Sequence, residues 1–251
     1  MNIDPIHQFN IHNFFKIGQI GDQAIYFTSS SAYMLLAVVL TSILMIGGVA
    51  GGKLVPGRFQ SMAEITYEFV ASTVRSTAGS EGMKFFPLVF SIFMFICVSN
   101  LVGAIPYAFT LSSHIIVTAT LALLVFFTVL IYGFYKNGLK FFKIFVPSGI
   151  PIFILPLVVF IEIFSFFLRP VSHSVRLFAN MLAGHIALKV FAGFVALLGV
   201  SLGAVGWVGG VLPLALTIAI YALEILVAFL QAYVFAILTC IYLNDALHPG
   251  H

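Results

Sequence analysis

The strongest constraint on this chain is the length of its uninterrupted apolar runs. "AYMLLAVVLTSILMIGGVAGG" begins at residue 32, and the stretch from 146 to 198 stays apolar for roughly 50 residues, where about 20 cross a bilayer as helix. A helix that is hydrophobic all round needs lipid or a very large core around it. Composition favours lipid, because 61% of residues are hydrophobic and only 8% charged; soluble domains carry about 25% charged residues. The weak alternation of an outer-membrane barrel is absent. These features predict an all-α polytopic membrane protein, a single membrane domain over residues 1–251, with about five crossing helices.

Punctuation along the chain sets the expected order. Residues 1–30 are polar and aromatic without clear periodicity and are expected outside the cytoplasm. A first span is expected at 32–50, and "GGVAGGKLVPGR" ends it. Over 58–78, Phe59, Met62, Ile65 and Phe69 recur every three or four residues, with Glu64, Glu68 and Arg75 elsewhere on the wheel; that pattern fits an amphipathic helix lying in the interface. A hairpin of two spans follows at 85–135, turning near Pro106 and His114. The apolar run at 146–198 is either two short spans or one long, tilted helix. "GVSLGAVGWVGG" (199–210) reads as a loop, or through Gly199 and Gly203 as a small-residue packing stripe. A last long helix is expected at 211–243.

Lysine and arginine near the span ends give the orientation. Lys53, Arg58, Arg75, Lys84, Lys136, Lys140 and Lys143 share one side if the N-terminus is outside, and Lys16 lies on the other. The N-terminus is therefore expected outside and the C-terminus in the cytoplasm. "MNIDPIHQFNIHNFF" has acids and a proline where a signal peptide needs a basic, then apolar opening, so the first span is expected to act as its own membrane signal. The net charge of +3 is scattered, which argues against nucleic acid as a partner. Cys97 and Cys240 lack metal-site spacing and read as small core residues; no metal or cofactor is expected.

Charges inside apolar helices are the functional signal, since each costs roughly 2.5 to 3.5 kcal/mol even on a lenient insertion scale. "RPVSHSVRLFANMLAGH" (169–185) holds two arginines and two histidines. At about 100° per residue, Glu162, Arg169, His173, Arg176 and Asn180 fall within roughly 60° of one line, whereas His185 faces the opposite side with Lys189 a turn beyond. On the last helix Glu224, Gln231 and Tyr242 share a second line, with Tyr221 beside it. Arginine stays protonated, so Arg176 is a fixed cation and not a proton carrier. Glutamate and histidine can exchange protons, which makes Glu224 and His185 relay candidates. The plainer readings are a salt-bridge cluster tying helices together, snorkelling or paired Arg169 and Lys189, and a Glu162 that neutralises an arginine. His7, His12, His114, His248 and His251 read as solvated loop or tail residues.

At these residues the chain resembles subunit a of the F-type ATP synthase. "RLFANMLAGH" is similar to that family's arginine block, "EILVAFLQAYVFAILTCIYL" to its final helix and "SNLVGAIPY" (99–107, with Asn100) to a further block; the likeness runs from about residue 30 to 245. It implies a proton-translocating membrane stator subunit without bond chemistry of its own. Two half-channels would meet a ring of c subunits carrying mid-membrane carboxylates, with peripheral-stalk b-type subunits and lipid as further partners. Arg176 would face the ring. Glu224, His185 and Gln231 match positions for proton delivery or arginine support, and Asn180 and Glu162 match polar channel positions. Arg169, His173, Asn100 and Tyr242 are expected to support them. Compared with the commonest bacterial pattern, the glutamate and histidine delivery positions are exchanged, as in mitochondrial members. The family's two long, strongly tilted helices would account for the apolar run at 146–198. The implied location is a bacterial inner membrane rather than a mitochondrial one. A secondary ion-coupled transporter with a buried charged site is the alternative.

Overall fold

A computed structural model describes residues 11–20, 23–50, 52, 55–105, 108–146, 151 and 153–248. The readings placed on His7, His251, Lys53 and Pro106 lie outside them. Among the described residues there are six α-helices: α1 (Ser29–Val49), α2 (Arg58–Gly82), α3 (Phe86–Gly103), α4 (Ile115–Asn137), α5 (Leu155–Gly209) and α6 (Val211–Leu247). Among the described residues, five helical segments are long and apolar enough to cross a membrane: Ser29–Val49, Arg58–Gly103, Ile115–Phe145, Leu155–Ser201 and Val211–Leu247. Residues such as Ile43, Phe160 and Leu226 point out of the chain on these segments, a cost in water that lipid removes. The protein is an all-α polytopic membrane protein.

An antiparallel hairpin of β1 (Asn13–Ile20) and β2 (Gln23–Thr28) precedes α1, in a region without readable alternation. Its strands are rich in β-favouring Phe, Ile and Tyr, and Phe15 stacks on Phe27 at 5.0 Å. The Ser29 N–H donates to the His12 carbonyl at 2.9 Å, tying the hairpin to the start of the span.

Helix bounds follow local chemistry. Pro156 lies in the first turn of α5, where a missing N–H costs no hydrogen bond, so the helix starts at Leu155. A 3-10 segment, Gly138–Phe145, fills the chain after α4. The glycine-rich stretch after residue 198 is helical, not a loop, and α5 breaks within it only at Gly203 (φ +56°). Gly79 (φ +68°) makes the corresponding break near the end of α2. Both conformations suit a residue without Cβ. Pro170 sits inside α5 with helix on either side.

The chain packs as two compact units. The first comprises Met1–Leu40, Ile96–His114 and Leu177–Gln231; the second comprises Thr41–Phe95, Ile115–Arg176 and Ala232–His251. In the second, Phe126, Phe141 and Phe145 surround buried Phe166 at 5.2, 6.2 and 5.3 Å. Gly48 lets α1 meet α2, since a Cβ there would come within 2.6 Å of the Ala63 Cβ. In the first unit, Tyr33 of α1 packs on Phe109 at 5.8 Å.

Candidate functional site

The first unit buries a titratable pair. His185 of α5 and Glu224 of α6 are 7% and 4% exposed, and His185 Nε2 lies 3.4 Å from Glu224 Oε1. That separation is long for a charge-assisted hydrogen bond, and neither Glu224 oxygen has a hydrogen-bond partner among the described residues. A buried carboxyl without such a partner is costly to keep. The loop after α3 closes over the pair. Thr110 Oγ1 sits 2.9 Å from His185 Nε2, and Thr110 is itself fully buried. Asn100 of α3 donates from Nδ2 to the Ala228 carbonyl at 3.2 Å, one turn beyond Glu224, and accepts a short bond from the Ser112 hydroxyl at Oδ1.

The second unit joins Arg169 to Asp245 and Lys136 to Glu81. Arg169 donates to Asp245 Oδ2 at 2.9 Å, with its guanidinium 4.9 Å from the centre of the Tyr242 ring and 5.4 Å from that of Phe166. A guanidinium satisfied by a carboxylate and aromatic faces is held in place. His173 is buried edge-on against Phe235 at 3.7 Å and lies 5.8 Å from Tyr242. At the end of α4, Lys136 pairs with Glu81 and donates to the Leu247 carbonyl at 3.3 Å, while Asn137 donates to the Ala246 carbonyl at 2.7 Å. These bonds satisfy carbonyls that the end of α6 leaves open.

Other candidates stand apart. Arg176 is exposed on α5 beside exposed Val171 and Val175, and it forms no hydrogen bond or ion pair among the described residues. The same holds for exposed Asn180 and for half-buried Glu162 and Gln231. On α6 the line through Glu224 continues through buried Ala228, Phe235, Thr239 and Ala246, so this polar line faces inward. Cys97 and Cys240 are free and buried. His114 is half-buried, contrary to the solvated reading, because it stacks on Phe109 at 4.8 Å; burial pushes its imidazole below the ordinary range.

The ATP synthase A chain family matches residues 31–244, which include Thr110, Arg169, Arg176, His185 and Glu224. Over its whole length the chain is 80% identical to ATP synthase subunit a of Bradyrhizobium diazoefficiens, covering all of that protein. Over 99% of its length it is 76% identical to ATP synthase subunit a of Rhodopseudomonas palustris strain BisB18 and 75% identical to that of Nitrobacter winogradskyi, covering all of each. The chain belongs to the ATP synthase A chain family. In this multi-pass member of it, Arg176 and His185 of the arginine motif lie on α5 and Glu224 of the final-helix motif on α6.

Several residues of the subunit's clusters escaped the sequence reading. A Cβ on Gly184 would lie 3.0 Å from Glu224 Oε1 and 3.4 Å from its Cδ, so this glycine makes room for the carboxyl. The only hint was its place beside His185 in "LAGH". Thr110 sits in a loop and Asp245 in the last turn of α6, where single polar residues carry no signal by themselves. They stand out once the fold brings distant segments to His185 and Arg169.

Proposed function

We propose that the subunit forms two proton half-channels against a ring of c subunits in the Fo sector and couples proton flow to ring rotation and ATP synthesis. The observation that carries this reading is Arg176, an exposed guanidinium on an apolar helix surface without an ion pair among the described residues. Leaving such a charge towards hydrocarbon costs roughly 2.5 to 3.5 kcal/mol, so it needs a partner outside the chain. A mid-membrane carboxylate is the complementary group. Arg176 would hold a passing ring carboxylate ionised and block a direct leak, since arginine keeps its proton. Glu224 and His185 would load or unload that carboxylate, with Gln231, Asn180 and Glu162 lining the approach and Arg169, His173, Asn100 and Tyr242 in support. The membrane potential supplies the drive, about 2.3 kcal/mol per charge per 100 mV.

In this reading the N-terminus is outside, the C-terminus cytoplasmic and the membrane the bacterial inner one. The amphipathic face of α2 lies in the interface, and α5 and α6 run long and tilted past the ring. The subunit performs no bond chemistry and works with b-type stalk subunits. Gentle purification is expected to bring down a small ring subunit in many copies, whereas an isolated chain that transports a solute would favour the transporter. In membrane vesicles, Arg176→Ala and Arg176→Lys are both expected to abolish ATP-driven proton pumping, because lysine can lose its proton and lacks the planar fork. Normal pumping in either variant overturns the role of Arg176.

A further inference from the structure

We propose that Thr110 is a positioning residue for proton transfer, holding His185 in the form that carries its proton on Nε2 and turns it towards Glu224. The inference rests on the proposed proton path. Nε2 of His185 faces two oxygens, Thr110 Oγ1 at 2.9 Å and Glu224 Oε1 at 3.4 Å. A hydroxyl has one proton and two lone pairs. The Thr110 hydroxyl also lies 3.4 Å from the Gly103 carbonyl, which only accepts. Its single proton can go to Gly103, which leaves a lone pair for an Nε2–H. An ionised Glu224 is likewise an acceptor, and two acceptors around one ring nitrogen select the proton-bearing form there.

The surroundings hold this hydroxyl in place. Ser113 Oγ donates to the Thr110 carbonyl at 2.6 Å and fixes the backbone. Gly103 leaves it room, since a Cβ there would lie 3.0 Å from Thr110 Cγ2 and 3.3 Å from Oγ1. Asn100 links the same loop, through Ser112, to the Ala228 carbonyl on the helix that carries Glu224. The loop thus sets the His185 ring and the Glu224 helix together. Proton transfer responds steeply to such geometry.

The test uses the complete ATP synthase complex in lipid, with 15N-labelled histidine, and assigns the His185 ring signals by comparison with His185→Gln. In the unmodified complex the ring is expected in the Nε2–H form. Thr110→Val keeps the shape but removes the hydroxyl, and is expected to raise the Nδ1–H population and slow passive proton flux about three- to tenfold, the scale of one hydrogen bond. Thr110→Ser is expected to restore both. Where Thr110→Val does not assemble, Thr110→Ala supplies the hydroxyl-free measurement. Unchanged ring signals in the hydroxyl-free variant overturn the proposal, as do altered signals with normal flux, or a flux defect that serine does not rescue. Failure of the proton path itself reads differently: Glu224→Gln and His185→Ala would then both conduct normally.

Discussion

The two polar clusters are made of similar residues and differ in how far each group is satisfied. Around His185 and Glu224 the carboxyl is buried, the imidazole is 3.4 Å away and the Thr110 hydroxyl contacts the imidazole rather than the carboxyl. Around Arg169 the charge is permanent, its carboxylate is at 2.9 Å and aromatic faces complete the shell. Burial without full satisfaction is costly and is retained where a group must change state; a satisfied pair holds helices together. On the proposed proton path, exchange belongs to the first cluster and structure to the second.

The largest expected effect that separates them is on flux. Glu224→Gln keeps the shape and removes the acid, and is expected to cut proton flux by about a hundredfold or more, the scale of a lost acid–base group, while the complex still assembles. Normal flux in reconstituted vesicles would return Glu224 to a structural role and erase the contrast. Gly184→Ala is expected to slow flux severalfold, because the new methyl meets Glu224 Oε1 at 3.0 Å and the carboxyl must shift. Unaltered flux would mean that the carboxyl tolerates displacement.

In the second cluster, Asp245→Asn is expected to leave flux near normal and lower stability by about 1 kcal/mol, a modest value because Arg169 and Asp245 keep 23% and 36% side-chain exposure. Thermal unfolding of the solubilised complex measures it, and a flux defect without a stability change would reverse the assignment. The smallest effect concerns His114. Its imidazole is pushed down by burial, so the unfolded loop binds the proton more readily than the folded one. Stability is then full above the ordinary imidazole range and falls as the pH drops through that range towards the lowered value. Hydrogen exchange in residues 108–114 is expected to accelerate between pH 7 and pH 5, and His114→Gln is expected to remove that dependence.

Part of this was legible before any contact was known. The apolar runs located the spans because lipid leaves backbone groups no partner but their own helix, and the 3.6-residue period aligned Glu224 with Gln231 and Tyr242 on one face. The hairpin at 13–28 was not legible, since its strands are apolar on both faces and do not alternate. The helical stretch through residue 199 onward was misjudged because glycine reads as a breaker, although only Gly203 leaves helical geometry.

What the sequence by itself determined is which helices exist and which residues share a side of each, because both follow from local chemistry repeated along one axis. What only the tertiary structure decided is which charge meets which partner. Arg169 meets Asp245, His185 meets Glu224 and Thr110, and Gly184 clears space for a carboxyl on another helix. These pairings depend on how separate helices pack, and no period along one helix encodes the distance to the next.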